Sequence, residues 1–132
     1  MGNKNIFIRK TYEADMSDIL DLLQSMSDFK PSQSDYPNIW TKFNSQKNNL
    51  SFVAVINSKI VGYGSILIET KIRGGKVGHI EDIVSHEDYR KQGIGKLIID
   101  KLFQEAKKEG CYKLVLQCKK DLIPFYESCN YE

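Results

Sequence analysis

The apolar residues of the N-terminal part follow two spacings, one typical of strands and one typical of helices. Asn5–Arg9 alternates apolar with polar residues and predicts a first strand. Asp15 has the character of a helix N-cap. The apolar positions after it have helical spacing: Ile19, Leu20, Leu23 and Met26. The polar stretch 27–49 predicts loops around a short second helix near Ile39–Phe43.

Two apolar, β-branched runs in the middle of the chain predict a hairpin. They are Phe52–Ile56 and Ile60–Ile68, and the turn between them is Asn57-Ser58-Lys59. A second turn at Arg73-Gly74-Gly75 leads into a fourth strand over Val77–Ser85. The middle of the chain therefore predicts three consecutive antiparallel strands.

The strongest helical pattern spans Gly93–Glu109. Its apolar residues fall on one face: Ile94, Leu97, Ile98, Leu102 and Ala106. Gly110 follows where a C-terminal glycine belongs. The apolar run Tyr112–Cys118 predicts a strand buried on both faces, and Ile123–Cys129 predicts a last short helix. The order of these elements predicts an α/β domain with a mixed sheet.

Composition narrows the class of protein. A length of 132 residues predicts a single domain over 1–132. A net charge of +2 is too mild to indicate a nucleic-acid or membrane partner. The three cysteines, Cys111, Cys118 and Cys129, form no CxxC pair, which favours free thiols and no metal site. Without an apolar signal-peptide core or a transmembrane run, the expected location is cytoplasmic.

Candidate chemistry begins at the start of the long helix, in Arg90-Lys91-Gln92-Gly93-Ile94-Gly95-Lys96. Glycines let the backbone approach a ligand, and the first turn of a helix has unpaired N–H groups that attract phosphates. The three cations of the segment add charge there. A P-loop is excluded by the glycine spacing, and a dinucleotide fingerprint would need a third glycine at Ile98. The segment predicts a pyrophosphate cradle, with a capped surface loop as the alternative.

The pattern Arg90-x-x-Gly93-x-Gly95 resembles the acetyl-CoA signature of the GNAT superfamily of N-acetyltransferases. Three more segments resemble the glucosamine-6-phosphate N-acetyltransferases within it: Gly78–Val84, Gly110–Leu116 and Phe125–Cys129. The resemblance covers roughly residues 60 to 131. It implies a GNAT fold with a mixed, mostly antiparallel sheet. It also implies helices on both faces and a splay between strands four and five.

The resemblance implies roles for individual residues. The backbone of Ile83, Val84 and Ser85 would pair with the pantetheine arm of acetyl-CoA, and Arg90–Lys96 would surround its pyrophosphate. The other contacts implied for the coenzyme are Phe125 and Tyr126, and the Tyr126 hydroxyl would also be the catalytic donor near the sulfur. Glu81, Asp82 and Ile83 would meet the acceptor amine. Tyr112 and Lys113 would contact a sugar phosphate.

These roles fit the chemistry of acetyl transfer. An alkylammonium has a pKa of roughly 10, so a base must take its proton, and such help is worth about 10²–10⁴-fold. Adjacent strand residues point to opposite faces, so Glu81 and Asp82 share a role only if a bulge re-aims one of them. The alternatives are solvated strand charges for this pair, a core aromatic for Tyr126 and a plain strand residue for Tyr112. Of the two histidines, His79 is expected to be structural, and His86 has no evident role.

The sequence also departs from the relatives that it resembles. The departures are Gln117 for an acid, Leu122 for an asparagine, Asn130 for a glycine and a shorter turn at Ile72–Gly78. No residue corresponds to a C-terminal basic residue that binds the sugar phosphate, which predicts weak selectivity for phosphorylated sugars. The end at Glu132 predicts an unfilled sheet edge, and hence either a homodimer or a sequence that lost a natural C-terminal segment.

The sequence thus predicts an acetyl-CoA-dependent N-acetyltransferase for a small primary amine, with glucosamine 6-phosphate as the first candidate. Other acceptors stay open, among them a polyamine, an antibiotic and a protein N-terminus. A coenzyme A-binding module without catalysis is the alternative from a different class.

Overall fold

The structure is a computed structural model that describes residues 5–26 and 28–116, apart from the side chains of Arg90 and Lys91. Its helices and strands are β1 (Ile6–Lys10), α1 (Met16–Leu23), α2 (Tyr36–Asn44), β2 (Asn49–Ile56), β3 (Lys59–Thr70), β4 (Lys76–Ser85), α3 (Ile94–Lys108) and β5 (Cys111–Leu116). Short 3₁₀ turns lie at Glu13–Asp15, Gln33–Asp35 and Glu87–Gln92. The described order of elements matches the one predicted from the apolar spacing.

The five strands form one sheet in the order β1-β2-β3-β4-β5. The first three pairings are antiparallel, and β4 pairs with β5 in parallel. Parallel neighbours need a crossover, which α3 supplies. The predicted mixed, mostly antiparallel sheet is confirmed.

Both faces of the sheet carry a helix, as predicted. On one face, called the α3 side, the fully buried Ile94, Ile98 and Leu102 pack against strand residues such as Ile66 and Ile80. On the other face, called the α1 side, Ile19 and Leu22 pack on a smaller set of strand residues, namely Val53, Val55, Ile60, Tyr63 and Val84. The buried residues of the α1 side belong to β2, β3 and the C-terminal part of β4. On the other half of that face, called the open half, described side chains such as Leu67 and Glu81 are exposed.

The hairpin between β2 and β3 is tighter than the sequence suggested. Asn57 and Ser58 form a two-residue turn with φ values of 48° and 68°. Positive φ at both central positions is the requirement of a type I′ turn, which matches the twist of the strands. Lys59, predicted as part of the turn, is the first residue of β3.

One prediction about local structure is wrong, and another is confirmed in position only. The strand β5 is not buried on both faces, because Tyr112 is 67% exposed and Lys113 is exposed beside it. Asp15 is the N-cap residue of α1, as predicted, but its carboxylate accepts no hydrogen bond from that helix and binds Arg9 and the N–H of Tyr12. The predicted last helix, Ile123–Cys129, lies outside the described residues.

None of the helices within the described ranges is both long enough and apolar enough to span a membrane.

Candidate active site

A β-bulge in β4 brings the two candidate carboxylates to one place. Tyr63 pairs with Val84 and Ser65 pairs with Glu81, so two residues of β4 oppose Gly64 alone. Asp82, one of those two, has a φ of 56°, in the left-handed region that few non-glycine residues adopt. The bulge that the sequence required for a shared role of Glu81 and Asp82 is present.

The bulge leaves Glu81 and Asp82 exposed between buried neighbours. Ile80 and Ile83 belong to the core on the α3 side, so Glu81 lies on the opposite, α1 side. The buried hydroxyl of Tyr63, on the α1 side, has its pKa raised to about 12, mainly by burial and in part by the negative charge of Asp82. This effect indicates that the Asp82 carboxylate lies near Tyr63. Both carboxylates are therefore accessible to an acceptor that approaches from the open half of the α1 side.

The last described pair between β4 and β5 is Ile80 with Leu116, which is also the last described residue of β5. Strand β4 continues to Ser85, so its segment 81–85 lies beyond the described pairs, next to the bulge. We call this segment the sheet opening, because the splay predicted between strands four and five would begin here. The part of β5 that would show the splay lies outside the described residues.

Three residues predicted to hold the coenzyme through their backbone lie in this segment. The side chains of Ile83 and Val84 are buried on the α3 and α1 sides, at 9% and 6% exposure. Only their backbone can contact a ligand in the opening, as predicted. The same burial limits the role assigned to Ile83 toward the acceptor, because its side chain is part of the core. Ser85 is half-buried.

The start of α3 has the geometry of an anion site. Gly93 has a φ of 76°, and the first helical hydrogen bond runs from the N–H of Leu97 to the oxygen of Gly93 at 3.1 Å. The N–H groups of the first helical turn before Leu97 have no partner within the helix. A helix N-terminus with free N–H groups attracts phosphate. The predicted pyrophosphate cradle therefore has its backbone geometry.

The side chains of this segment divide into core and surface. Ile94 and Gly95 are buried, whereas Gln92 and Lys96 are exposed. Lys96 forms an ion pair with Asp100, with its Nζ 3.2 Å from Oδ2. The backbone of Arg90 and Lys91 lies in the 3₁₀ turn before the helix. Lys96 is thus the one described side-chain cation of the segment.

The structure gives His86 a role that the sequence did not show. Its Nδ1 accepts a hydrogen bond from the N–H of Asp88 at 3.1 Å, which caps the 3₁₀ turn between β4 and α3. The ring also makes an edge contact with Tyr89. His86 therefore fixes the path of the chain from the sheet opening to the cradle.

His79 lies two residues before Glu81 and on the same face of the sheet. Its Nε2–H donates to Oε1 of Glu69 at 2.8 Å, and the ammonium of Lys71 lies 3.0 Å from the same oxygen. The hydrogen bond from His79 and the neighbouring Lys71 hold the pKa of the Glu69 carboxyl below its usual range. This network occupies the open half of the α1 side, next to the carboxylate pair.

A cleft of about 290 Å³ adjoins the network at the turn between β3 and β4. Lys71, Arg73, Gly75 and Tyr112 line it. Lys113, opposite Val77 in the ladder, is exposed. Sequence reasoning selected Tyr112 and Lys113 but missed Lys71 and Arg73. The available signal was the two cations that flank Ile72, just before the glycine pair of the turn.

Phe125 and Tyr126, predicted to contact the coenzyme, lie outside the described residues. The described residues contain no group of three or more His, Cys, Asp or Glu side chains that could hold a metal ion.

A mixed sheet with a bulge and two exposed carboxylates in β4, followed by a glycine-started helix, agrees with the class of acetyl-CoA-dependent N-acetyltransferases that the family match indicates. Residues 16–131 match the profile of the Acetyltransferase (GNAT) family, and the chain belongs to this family. The implied GNAT fold is therefore confirmed.

Three relatives illustrate the similarity. A glucosamine 6-phosphate N-acetyltransferase of Trypanosoma brucei brucei is 33% identical over 132 residues, covering 94% of this chain and 87% of the relative. Glucosamine 6-phosphate N-acetyltransferase 1 of Dictyostelium discoideum is 32% identical over 117 residues, covering 85% and 74%. The crystal structure of the Arabidopsis thaliana glucosamine-6-phosphate N-acetyltransferase superposes with a TM-score of 0.89 at 28% identity, covering 97% and 92%.

Proposed function

We propose that this chain acetylates the amine of glucosamine 6-phosphate with acetyl-CoA. The relatives that share about a third of its residues carry that name. The observation that carries the proposal is the arrangement of charge on the open half of the α1 side. The carboxylates of Glu81 and Asp82 lie at the sheet opening, and the cations Lys71 and Arg73 lie toward the β3–β4 turn.

The spacing of these groups suits a small phosphorylated amine. Same-face neighbours on a strand, such as Glu81 and His79, are about 6.6 Å apart, a distance comparable to a hexose ring. Glu69 joins His79 to the ammonium of Lys71. An amine beside Glu81 would therefore have His79 about one sugar away, with the ammonium of Lys71 beyond it on the same Glu69 oxygen. This supports a phosphate subsite in which Lys71 and Arg73 supply the positive charge.

The reaction needs four things from the chain. The first turn of α3 binds the pyrophosphate, and the backbone of β4 orients the pantetheine arm. Glu81 or Asp82 accepts the proton that the ammonium must lose. The amine nitrogen then bonds to the acetyl carbon, the carbon–sulfur bond breaks, and its electron pair leaves on sulfur. Tyr126 is proposed to protonate that sulfur and to regain its proton from solvent.

The test compares kcat/KM for glucosamine 6-phosphate with that for glucosamine in three variants, Lys71→Ala, Arg73→Ala and Lys107→Ala. A lost charge-assisted hydrogen bond costs about 1.5–3 kcal/mol, which corresponds to roughly tenfold or more in preference for the phosphorylated sugar. Lys107, exposed near the end of α3, is the control and should leave the preference unchanged. Equal kcat/KM for both sugars in the wild-type protein would refute the assignment of the acceptor.

We also propose that the protein is a cytoplasmic homodimer, built from one domain per chain. The open half of the α1 side and the adjoining turn expose apolar side chains, namely Leu67, Ile72 and Tyr112 at 41%, 103% and 67%. Contiguous apolar groups beside a sheet edge favour association. Light scattering should give twice the chain mass, and Leu67→Lys should shift the protein toward monomer. A wild-type monomer would contradict the proposal.

A further inference from the structure

A buried serine of β3 contacts the backbone of the bulge in β4. The hydroxyl of Ser65 donates a hydrogen bond to the carbonyl oxygen of Glu81 at 3.2 Å. Ser65 is 8% exposed and pairs with Glu81 across the ladder. The contact therefore fixes the last peptide group before the strained residue Asp82, at the point where β4 departs from regular geometry.

The direction of this carbonyl determines the direction of the next N–H. A trans peptide is planar, with its C=O and N–H on opposite sides. The carbonyl of Glu81 points toward β3, where Ser65 holds it, so the N–H of Asp82 points away from β3. On that side the described pairs of β4 with β5 end at Ile80 and Leu116, two residues before Asp82. The N–H of Asp82 thus points to the β5 side of β4, at the segment called the sheet opening.

The serine belongs to a short chain of hydroxyl groups. The buried hydroxyl of Tyr63 hydrogen-bonds with the side chains of both Ser51 and Ser65. Both contacts lower the pKa of the Tyr63 hydroxyl, against the larger effect of burial, and Ser65 also donates to the Glu81 carbonyl. The order is Ser51, Tyr63, Ser65 and the Glu81 carbonyl, and only Ser65 touches the bulge directly.

We propose that Ser65 is a positioning residue for acetyl transfer, whose hydroxyl fixes the Glu81–Asp82 peptide so that the Asp82 N–H binds the acetyl carbonyl oxygen. That oxygen gains negative charge while the amine nitrogen bonds to its carbon. A fixed N–H donor aimed at it stabilises the transition state. The inference rests on acetyl transfer at this opening and not on which amine accepts the group.

The test uses three substitutions at Ser65. Ser65→Ala removes the hydroxyl, Ser65→Cys keeps nearly the same volume with a weak donor, and Ser65→Thr restores a hydroxyl. Ser51→Ala is the matched control, because Ser51 faces Ser65 across the ladder and three hydrogen bonds separate it from the Glu81 carbonyl. Each variant is assayed for kcat, for thermal unfolding, and for binding of acetyl-CoA and of coenzyme A by calorimetry.

Coenzyme A lacks the acetyl carbonyl, so the ratio of the two affinities reports on the Asp82 N–H without any acceptor. Ser65→Ala and Ser65→Cys should lower kcat about tenfold, as expected when a fixed donor is loosened but not removed. They should also lower the affinity for acetyl-CoA relative to coenzyme A several-fold. Ser65→Thr and Ser51→Ala should stay within about twofold of wild type on both measures.

Two results would overturn the inference. One is a folded Ser65→Ala or Ser65→Cys variant with wild-type kcat and an unchanged affinity ratio. The other is an equal loss in Ser51→Ala, which would show a general effect of the hydroxyl chain on packing. If the alanine variant fails to fold, the cysteine variant decides the question. A wild-type protein that does not acetylate glucosamine 6-phosphate leaves the affinity ratio as an independent readout.

Discussion

The guanidinium of Arg9 binds the carboxylate of Asp15 through two hydrogen bonds, at 2.7 and 3.0 Å. The backbone N–H of Tyr12 donates to the same carboxylate at 2.7 Å. The contact joins the end of β1 to the start of α1, with the Asp15 side chain 8% exposed and that of Arg9 26% exposed. Two fixed hydrogen bonds in one fork restrict the path of the chain between the two elements.

This carboxylate should make stability depend on acid. Burial alone would raise the pKa of Asp15, but the bonds from Arg9 and Tyr12 outweigh it and lower the pKa. In the unfolded chain, Asp15 has an ordinary pKa of about 3.9, so the unfolded state takes up the proton first as pH falls. The contribution of Asp15 is thus complete above about pH 4 and is lost below it, as pH falls through the depressed folded-state pKa. Urea unfolding across this range measures it.

Asp15→Asn should reduce the free energy of unfolding at pH 7 by about 1–3 kcal/mol, because Arg9 loses a charged partner in a partly buried site. Its stability should also change less with pH than that of the wild type in the acid range. Asp21→Asn is the control: Asp21 forms an ion pair of equal length with Lys30, but its side chain is 61% exposed. Exposed pairs contribute about 0–1 kcal/mol. Equal losses of unfolding free energy in both variants would show that the two hydrogen bonds between Arg9 and Asp15 stabilise the protein no more than an exposed ion pair does.

The same residue shows where prediction of the fold from sequence stops. The residue type and the apolar spacing placed Asp15 just before the first helix, as observed. Its partner lies six residues earlier on a strand, and the spacing of apolar residues carries no information about that contact. The apolar pattern likewise predicted the five described strands and the helices α1 and α3. It was wrong only about the burial of β5, which it predicted to be buried on both faces, because Tyr112 and Lys113 are exposed.

The cradle at the start of α3 can be tested by charge at constant shape. Gly93 has a positive φ, and an added Cβ there would meet no atom within 4 Å. Asn and Asp both tolerate the left-handed region and have nearly the same size. Gly93→Asp should therefore weaken acetyl-CoA binding by tenfold or more relative to Gly93→Asn, because its carboxylate would lie near the phosphates. Each tenfold loss of affinity corresponds to about 1.4 kcal/mol of binding free energy.

Gly110, just beyond the other end of α3, is the matched control. It also has a positive φ, 79°, and open space around it. Gly110→Asp and Gly110→Asn should bind acetyl-CoA with the wild-type affinity by calorimetry. If Gly93→Asp binds as tightly as Gly93→Asn, the pyrophosphate does not lie at this helix start.

The acidic pair should control the protonation of the amine. Glu81→Gln and Asp82→Asn should both fold and bind coenzyme A, because both side chains are exposed. At least one should lose about 10²-fold or more in kcat/KM near neutral pH, the usual effect of removing a general base. Activity should recover partly at higher pH, where more of the amine is unprotonated. Full activity of both variants across the pH range would remove the pair from the mechanism.

The site was predictable only in part. The glycine signature and the acidic pair are each contiguous along the chain, so the sequence alone is enough to recognise them. Ser65 could not be recognised in this way, because its role depends on the register between β3 and β4. For Lys71 and Arg73 the sequence held only the weak signal of two cations before the glycine turn. A single extra residue in the bulge decides that Tyr63 opposes Val84, whereas the register between the turn and Ser65 would pair it with Ile83. Periodicity has no means of counting such an insertion, and every side chain beyond it changes face when it is misplaced.

Two glycines of β3, Gly62 and Gly64, allow the close approach of α3 to the sheet. A Cβ on Gly62 would come within 2.6 Å of Ile94 and Ile98, and a Cβ on Gly64 within 2.5 Å of Ile98 and 2.6 Å of Ile83. Such overpacking costs about 1–3 kcal/mol. Gly62→Ala and Gly64→Ala should therefore lower the free energy of unfolding by similar amounts in urea titrations.

Their effects on turnover should differ, because only Gly64 contacts Ile83. Ile83 follows Asp82 in the bulge, and Gly64 is the residue that the bulge opposes. A methyl group on Gly64 must displace Ile83 or the helix, and displacement of Ile83 moves the backbone that carries Asp82. We expect kcat to fall at least several-fold in Gly64→Ala and to change little in Gly62→Ala, measured where both proteins are fully folded. Equal kcat values in the two variants would show that the bulge is held independently of the packing beneath it.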